Sequence, residues 1–157
     1  MSYGAIALPR LSRVIDGTDQ DGVSKIVSWK GGGGFRFCQL GQPLFDASGG
    51  IAGNVKFSDL AAHIFFTETG SPIPKRADGK TPLLGEHNGK ALYLLFNGVL
   101  GDKRPAGGNV LTNSTLAILG KHDGPRIVYG EGCRLSAVRL KREGVTFKQV
   151  PYGVKVT

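Results

Sequence analysis

"ALYLLFN", residues 91–97, is the stretch on which the fold turns. It is a continuous apolar run, the pattern of a central strand buried on both faces. Downstream of it the chain repeats a rhythm. "GVLGDKRPAGG" is a long loop, and "NVLTNSTLAILGK" (109–121) has helical spacing, with Asn109 as N-cap and Gly120 as its end. "RIVYGEG" (126–132) is a second short apolar strand. "CRLSAVRLKREG" (133–144) is a helix with Leu135, Val138 and Leu140 inward and Gly144 as C-cap, and "VTFKQVP" is a third strand stopped by Pro151. Strands alternating with helices predict a small βαβαβ three-layer unit with a mostly parallel sheet, so the fold class is α/β.

Upstream, "SPIPKRADGKTP" (71–82) is a Pro- and Gly-rich connection. Before it, "KFSDLAAHIFFTETG" reads as a helix with Ser58 as N-cap, Leu60, Ala61, Ile64 and Phe65 on the apolar face, and Gly70 as C-cap. "DASGG" is a turn. "FRFCQLG" alternates, placing Phe35 and Phe37 on one face of a strand over 34–40. Ile6, Leu8, Leu11, Val14 and Ile15 recur at helical spacing. Because Pro fits the first turn of a helix, that helix is expected to begin near Leu8 or Pro9. A short helix is expected over 23–29. The chain thus divides into three segments: 1–45, a helix plus an edge strand; 46–82, a helical connector and linker; and 83–157, a C-terminal α/β domain.

The hydrophobic fraction of 40% is enough for a packed core, which excludes a disordered chain. No run of about 18 apolar residues predicts a membrane span. "MSYGAIALPRL" lacks the basic start and long apolar stretch of a signal peptide, so a cytoplasmic location is expected. Cys38 and Cys133 are the only cysteines, form no metal-ligand pattern, and read as reduced thiols. The net charge of +8 favours a polyanionic partner, of which nucleic acid is the commonest.

The four glycines of "SWKGGGGFRF" invite a phosphate-loop reading. Both templates fail, because a strand pattern rather than a helix comes next and no Gly-Lys-Ser/Thr occurs. A pliable lead-in or a close backbone approach remains. "NGVLGDKRPAGGN" and "YGEGCR" lie at strand carboxyl ends, where Lys103 and Arg104 would line an anion crevice. His63 reads as a packed histidine, His87 and His122 as loop residues without partners, and Glu68 and Glu131 as isolated acids. No catalytic or metal-binding set emerges. At the carboxyl end, "RLKREGVTFKQVPYGVK" interleaves Arg139, Lys141, Arg142, Lys148 and Lys155 with Phe147 and Tyr152, a mixture suited to nucleic acid. Candidate DNA or anion contacts are therefore Lys30, Arg36, Lys103, Arg104, Arg134, Arg142 and Lys148.

The ordered succession "LPRLSRVIDG", "GGGGFRFCQLGQPLFD", "DLAAHIFFTETGSPIP", "LYLLFNGVLGDKRPAGGNVLT" and "VYGEGCRLSAVRLKREGVTFKQVPYGVK" resembles the C-terminal portion of bacterial site-specific DNA methyltransferases. The resemblance is to the type III modification-subunit kind, which methylates an amino group, mainly of adenine. It implies that 1–45 is the tail of a methyltransferase-like sheet. For the complete family enzyme it also implies S-adenosylmethionine as cofactor and a base flipped from duplex DNA. The Asp/Asn-Pro-Pro-Tyr/Phe and Phe-x-Gly-x-Gly motifs that carry that chemistry are absent from this sequence, so no catalytic or cofactor residue is carried over and no cofactor is expected on this chain alone. The expected partners are DNA, the missing methyltransferase core or a restriction subunit, or a second copy of the chain. A fragment, a split gene product and a remnant all fit the resemblance. A protein-interaction module and a small-ligand α/β module are the alternatives.

Overall fold

The computed structural model describes residues 3–37, 41–48 and 50–150. The chain divides into two compact units, Met1–Gln42 and Pro43–Thr157. Along it run helices α1 (Tyr3–Ile15), α2 (Gly22–Ile26) and α3 (Phe57–Thr69), then strands β1 (Leu83–His87), β2 (Lys90–Leu94) and β3 (Val110–Leu111). Helix α4 (Asn113–Ile118), strands β4 (Arg126–Gly130) and β5 (Gly132–Cys133), helix α5 (Ala137–Arg142) and strand β6 (Val145–Gln149) complete it.

In the second unit the apolar run does form a central strand. The sheet order is β1-β2-β4-β6, with β2, β4 and β6 parallel and β1 antiparallel to β2, so the protein is mixed α/β with a mostly parallel sheet. Successive residues of a strand face opposite sides, and both sides here are covered. Leu92, Leu94 and Tyr129 pack with Leu60, Ala61, Ile64 and Phe65 of α3. Ala91, Tyr93, Leu95 and Val128 pack with Leu111, Leu116 and Leu119, with Leu140 and Phe147 at the margin. Each fully buried Leu or Phe stabilises by roughly 1.5–3 kcal/mol. Helix α3 buries the face expected of it and ends on Gly70 in the left-handed conformation.

The hairpin into β2 lies outside the sequence reading. Asn88 and Gly89 have φ of 49° and 72°, and His87 pairs with Lys90 across them. This is the two-residue turn whose twist suits antiparallel strands, and it adds an edge strand to the parallel core. Four further expectations are corrected. Asn109 is not a helix cap: it is buried, and the chain first makes β3 before Thr112 caps α4 through a capping box with Thr115. Likewise β5 pairs with β3 before α5 starts under Ser136, and Val138, expected inward, is 80% exposed. Helix α3 begins at Phe57, which packs on the core, so Ser58 is not its cap. Helix α1 runs through Pro9, forfeiting one amide bond there rather than starting at it.

In the first unit the glycines close the end of α1. Trp29 Nε1 donates to Val14 O at 2.7 Å, and the Gly32 amide donates to Ile15 O at 2.8 Å, so carbonyls that a helix end leaves open are satisfied. Gly17 and Gly31 meet backbone to backbone at this point; a Cβ on Gly31 would lie 2.6 Å from Ile15 O. Residues 34–37 form no strand, because alternation supplies a face but ladder bonds need a neighbouring extended segment, which the described residues of this unit lack. Residues 38–40 of the expected strand, and Pro151, Tyr152 and Lys155, lie outside the described residues.

Two measurements check this account. Gly31→Ala is expected to raise amide exchange over 16–19 sharply. Gly33→Ala, at φ 82° with open space around it, shows only about 1–2 kcal/mol of left-handed strain. Equal effects would remove the close-approach role. Arg126 is buried and donates to Gly120 O and Glu143 O. Arg126→Met is expected to cost about 3 kcal/mol in urea unfolding, against less than about 1 kcal/mol for Arg142→Met.

Candidate functional site

The loops after β2 and β4 meet beyond the carboxyl ends of the parallel strands, where the sequence places an anion crevice. They are tied by side chains of their own. The Asn97 amide donates to Asn109 Oδ1 at 2.6 Å, and Asn109 Nδ2 donates to Val99 O at 2.8 Å. Asn97 Nδ2 donates to Asp102 Oδ2 at 2.8 Å and to Gly107 O at 2.7 Å. Arg104 reaches both oxygens of Asp102, each at 2.8 Å. The Gly101 amide donates to Glu131 Oε1 at 2.7 Å. Glu131 is thus not an isolated acid. Two buried carboxylates occupy the amide and guanidinium donors that an incoming anion would use, and Lys103 remains exposed at the margin.

The Asp102 side chain is only 4% exposed. The Arg104 guanidinium, aided by the Arg104 amide and Asn97 Nδ2, holds its carboxyl well below the usual carboxylate range. Under the loop, Leu94, Leu95, Phe96, Phe57, Pro82 and Ile118 line an apolar concavity of about 200 Å³.

Where α3 packs on the sheet, Tyr129 Oη donates to Glu68 Oε1 at 2.5 Å, and Lys148 Nζ contacts the same oxygen. Glu68 therefore has partners from two strands. Burial first, and then the Glu68 carboxylate, push the Tyr129 hydroxyl well above its ordinary value. Both histidines read as loop residues without partners have neighbours, and only His122 lies in a loop. His87 lies in β1, edge-on to Phe65 with centroids 6.5 Å apart. The Gly124 amide donates to His122 Nδ1 at 2.9 Å, and His122 Nε2 is 3.4 Å from Glu86 Oε1. His63 stacks edge-on against Phe45 at 5.2 Å, in keeping with a packed histidine.

The seven candidate contacts separate into two groups. Arg104, Arg142 and Lys148 have carboxylate neighbours in Asp102, Glu143 and Glu68. Lys30, Arg36, Lys103 and Arg134 are exposed and form no ion pair with the described residues. Lys30 and Arg36 belong to the first unit, the others to the second. Arg134 and Arg142 line one concavity with Arg139, a residue the sequence places only in the basic helix. Its fourth-residue spacing to Glu143 is the signal that could have marked the local pairing. Among the described residues, no three His, Cys, Asp or Glu side chains are placed to hold a metal ion, and no helix is long and apolar enough to cross a membrane. No protein-family model, no curated protein and no solved structure matches the chain.

The Asp102 network gives a pH expectation. The folded value lies below the unfolded one of about 3.9. Its contribution is therefore complete above about pH 4 and is lost as pH falls. Exchange of the amides over 97–109 should accelerate on acidification in the wild type. Asp102→Asn should exchange faster already at neutral pH and lose that acid step; an acid step retained unchanged in the variant would remove Asp102 as its source.

Proposed function

We propose that the chain is the carboxy-terminal part of an S-adenosylmethionine-dependent site-specific DNA methyltransferase, and that it contacts DNA rather than transferring the methyl group. The membership rests on the ordered resemblance of its motifs. The DNA contact is carried by one observation: exposed cations form no ion pair with a carboxylate among the described residues, Lys103 and Arg134 in the α/β unit and Lys30 and Arg36 in the first. Uncompensated Lys and Arg on a surface attract phosphate and release its counterions, which yields affinity without sequence choice.

S-adenosylmethionine does not fit the apolar concavity under the 97–109 loop. The apolar concavity under the 97–109 loop offers Thr81, Asn97 and Thr115 as polar side chains, and no carboxylate for the cofactor's amino and ribose groups. A second reading, contact with a protein partner such as the missing core or a restriction subunit, is favoured by the first unit. Ile6, Val23, Ile26, Trp29, Phe35 and Phe37 are all exposed there, and exposed apolar side chains in such number mark interaction surfaces.

Two assays test the proposal. With labelled S-adenosylmethionine and a duplex, the chain alone should transfer no methyl groups, and sustained turnover would overturn the non-catalytic role. Duplex binding followed by fluorescence anisotropy should be independent of sequence and should weaken steeply with salt. For about three phosphate contacts the loss between 50 and 200 mM salt is about 40-fold. Affinity that ignores salt, or no affinity at all, would overturn the DNA contact.

A further inference from the structure

The end of α5 holds more cationic groups than its acid can neutralise. Among the described residues Glu143 is the one carboxylate that pairs with them. Its Oε2 lies 3.4 Å from Arg126 Nη2, and its Oε1 lies 3.0 Å from Arg139 Nε and 4.0 Å from Arg142 Nε. Three guanidiniums thus share one carboxylate. Arg126 is buried and further held by two backbone carbonyls. Arg139 Nε is buried, yet it is out of line for a hydrogen bond with Glu143 and makes none with the described residues. Arg134 forms no ion pair with the described residues at all.

Arg134, Arg139 and Arg142 line one concavity of about 380 Å³ together with Asn113, Ser136 and Val138. No acidic side chain among the described residues lines it. Arginine presents a rigid fork of N–H donors that matches phosphate oxygens, and a hydrogen bond in which both partners are charged is roughly twice as strong as a neutral one. A phosphodiester has two non-bridging oxygens and one negative charge. It can accept from two guanidiniums at once while presenting its sugar to an apolar side chain. Val138, 80% exposed, stands in the same lining for that contact.

We propose that this concavity clasps one phosphodiester of a nucleic-acid backbone between Arg134 and Arg142, with Arg139 between them in sequence and anchored toward Glu143. The inference rests on the DNA-contacting reading and adds to it a fixed point of contact, as opposed to diffuse attraction by net charge. The clasp reads no bases, so it sets position and not sequence.

The test is duplex binding by the full chain over a salt series, measured by fluorescence anisotropy. The variants are the double substitution Arg134→Gln, Arg142→Gln and a control of equal charge change, Lys75→Gln, Arg76→Gln, at exposed positions elsewhere in the same unit. Circular dichroism checks that each is folded. The clasp pair is expected to lose about tenfold in affinity at fixed salt and to lower the salt slope by about 1, with a much smaller change in the control. Equal losses in the two pairs would overturn the clasp and leave DNA binding through diffuse charge standing. No salt-dependent binding by the wild type would overturn the DNA reading itself. A second arm separates these failures. Inorganic phosphate, against chloride at matched ionic strength, should shift the Arg134 and Arg142 Nε–H resonances in nitrogen-edited spectra. A phosphate shift without duplex binding makes the concavity a site for free phosphate and overturns the nucleic-acid ligand. The absence of both overturns the site.

Discussion

One guanidinium holds the ends of both crossover helices against the sheet. Arg126 opens β4, the strand between β2 and β6, and its side chain is 7% exposed. It donates at 2.8 Å to Gly120 O, just past α4, and at 2.7 Å to Glu143 O, the cap of α5. Helix C-termini carry open carbonyls and a partial negative charge, and one buried cation answers both here. Burying a guanidinium is expensive unless its donors are satisfied. The arrangement is therefore close to all-or-none: either α4 and α5 both end where they do, or Arg126 is left unpaired in the core. Its Nε remains without a hydrogen bond to the described residues, so the compensation is incomplete and the two carbonyls matter the more.

The opposite end of the strands is built on the reverse principle, buried acids holding loop donors. Asp102 and Glu131 turn the glycine-rich loops inward, and Asn109 fixes the first of them to the end of β2. A glycine-rich loop carrying Lys103 and Arg104 at a strand carboxyl end has the composition of an anion site. What its donors face is decided by carboxylates within and beside it. The basic concavity by α5 differs because one carboxylate, Glu143, is shared among three guanidiniums and no acidic side chain among the described residues lines it.

The legible parts of the fold were those set by local pattern. The apolar run over 91–97, the buried face of α3 and its Gly70 end come from periodicity and from the left-handed tolerance of glycine. Three features come from pairings in space. Asn109 satisfies the template of a helix cap, and only the approach of Asn97, twelve residues away, shows that its amide is needed elsewhere. Strands β3 and β5, of two residues each, are too short to carry a period and exist through each other. The antiparallel β1 has a local signal in Asn88-Gly89, which the apolar continuity of β2 beside it outweighs as a pattern. Phe35 and Phe37 show the converse, alternation without a neighbouring strand to complete a ladder.

The same distinction governs the candidate site. Arg134 and Arg142 were legible as basic residues on a polar helix, and Lys148 and Arg104 looked equivalent to them. Composition counts charges; it does not say which are already answered. Lys148 contacts Glu68 eighty residues away in the chain, and Arg104 closes on Asp102 two residues before it. Each such pairing subtracts a cation from the surface available to a polyanion. Glu143 works the other way: its one charge is shared by Arg126 at 3.4 Å and Arg139 at 3.0 Å, and Arg142, at 4.0 Å, is countered least. The structural demand at the base of the sheet thus sets the charge imbalance on its surface. A substitution that freed Glu143 from Arg126 would strengthen its hold on Arg139 and Arg142, and so weaken any phosphate contact there without touching a residue that faces the ligand.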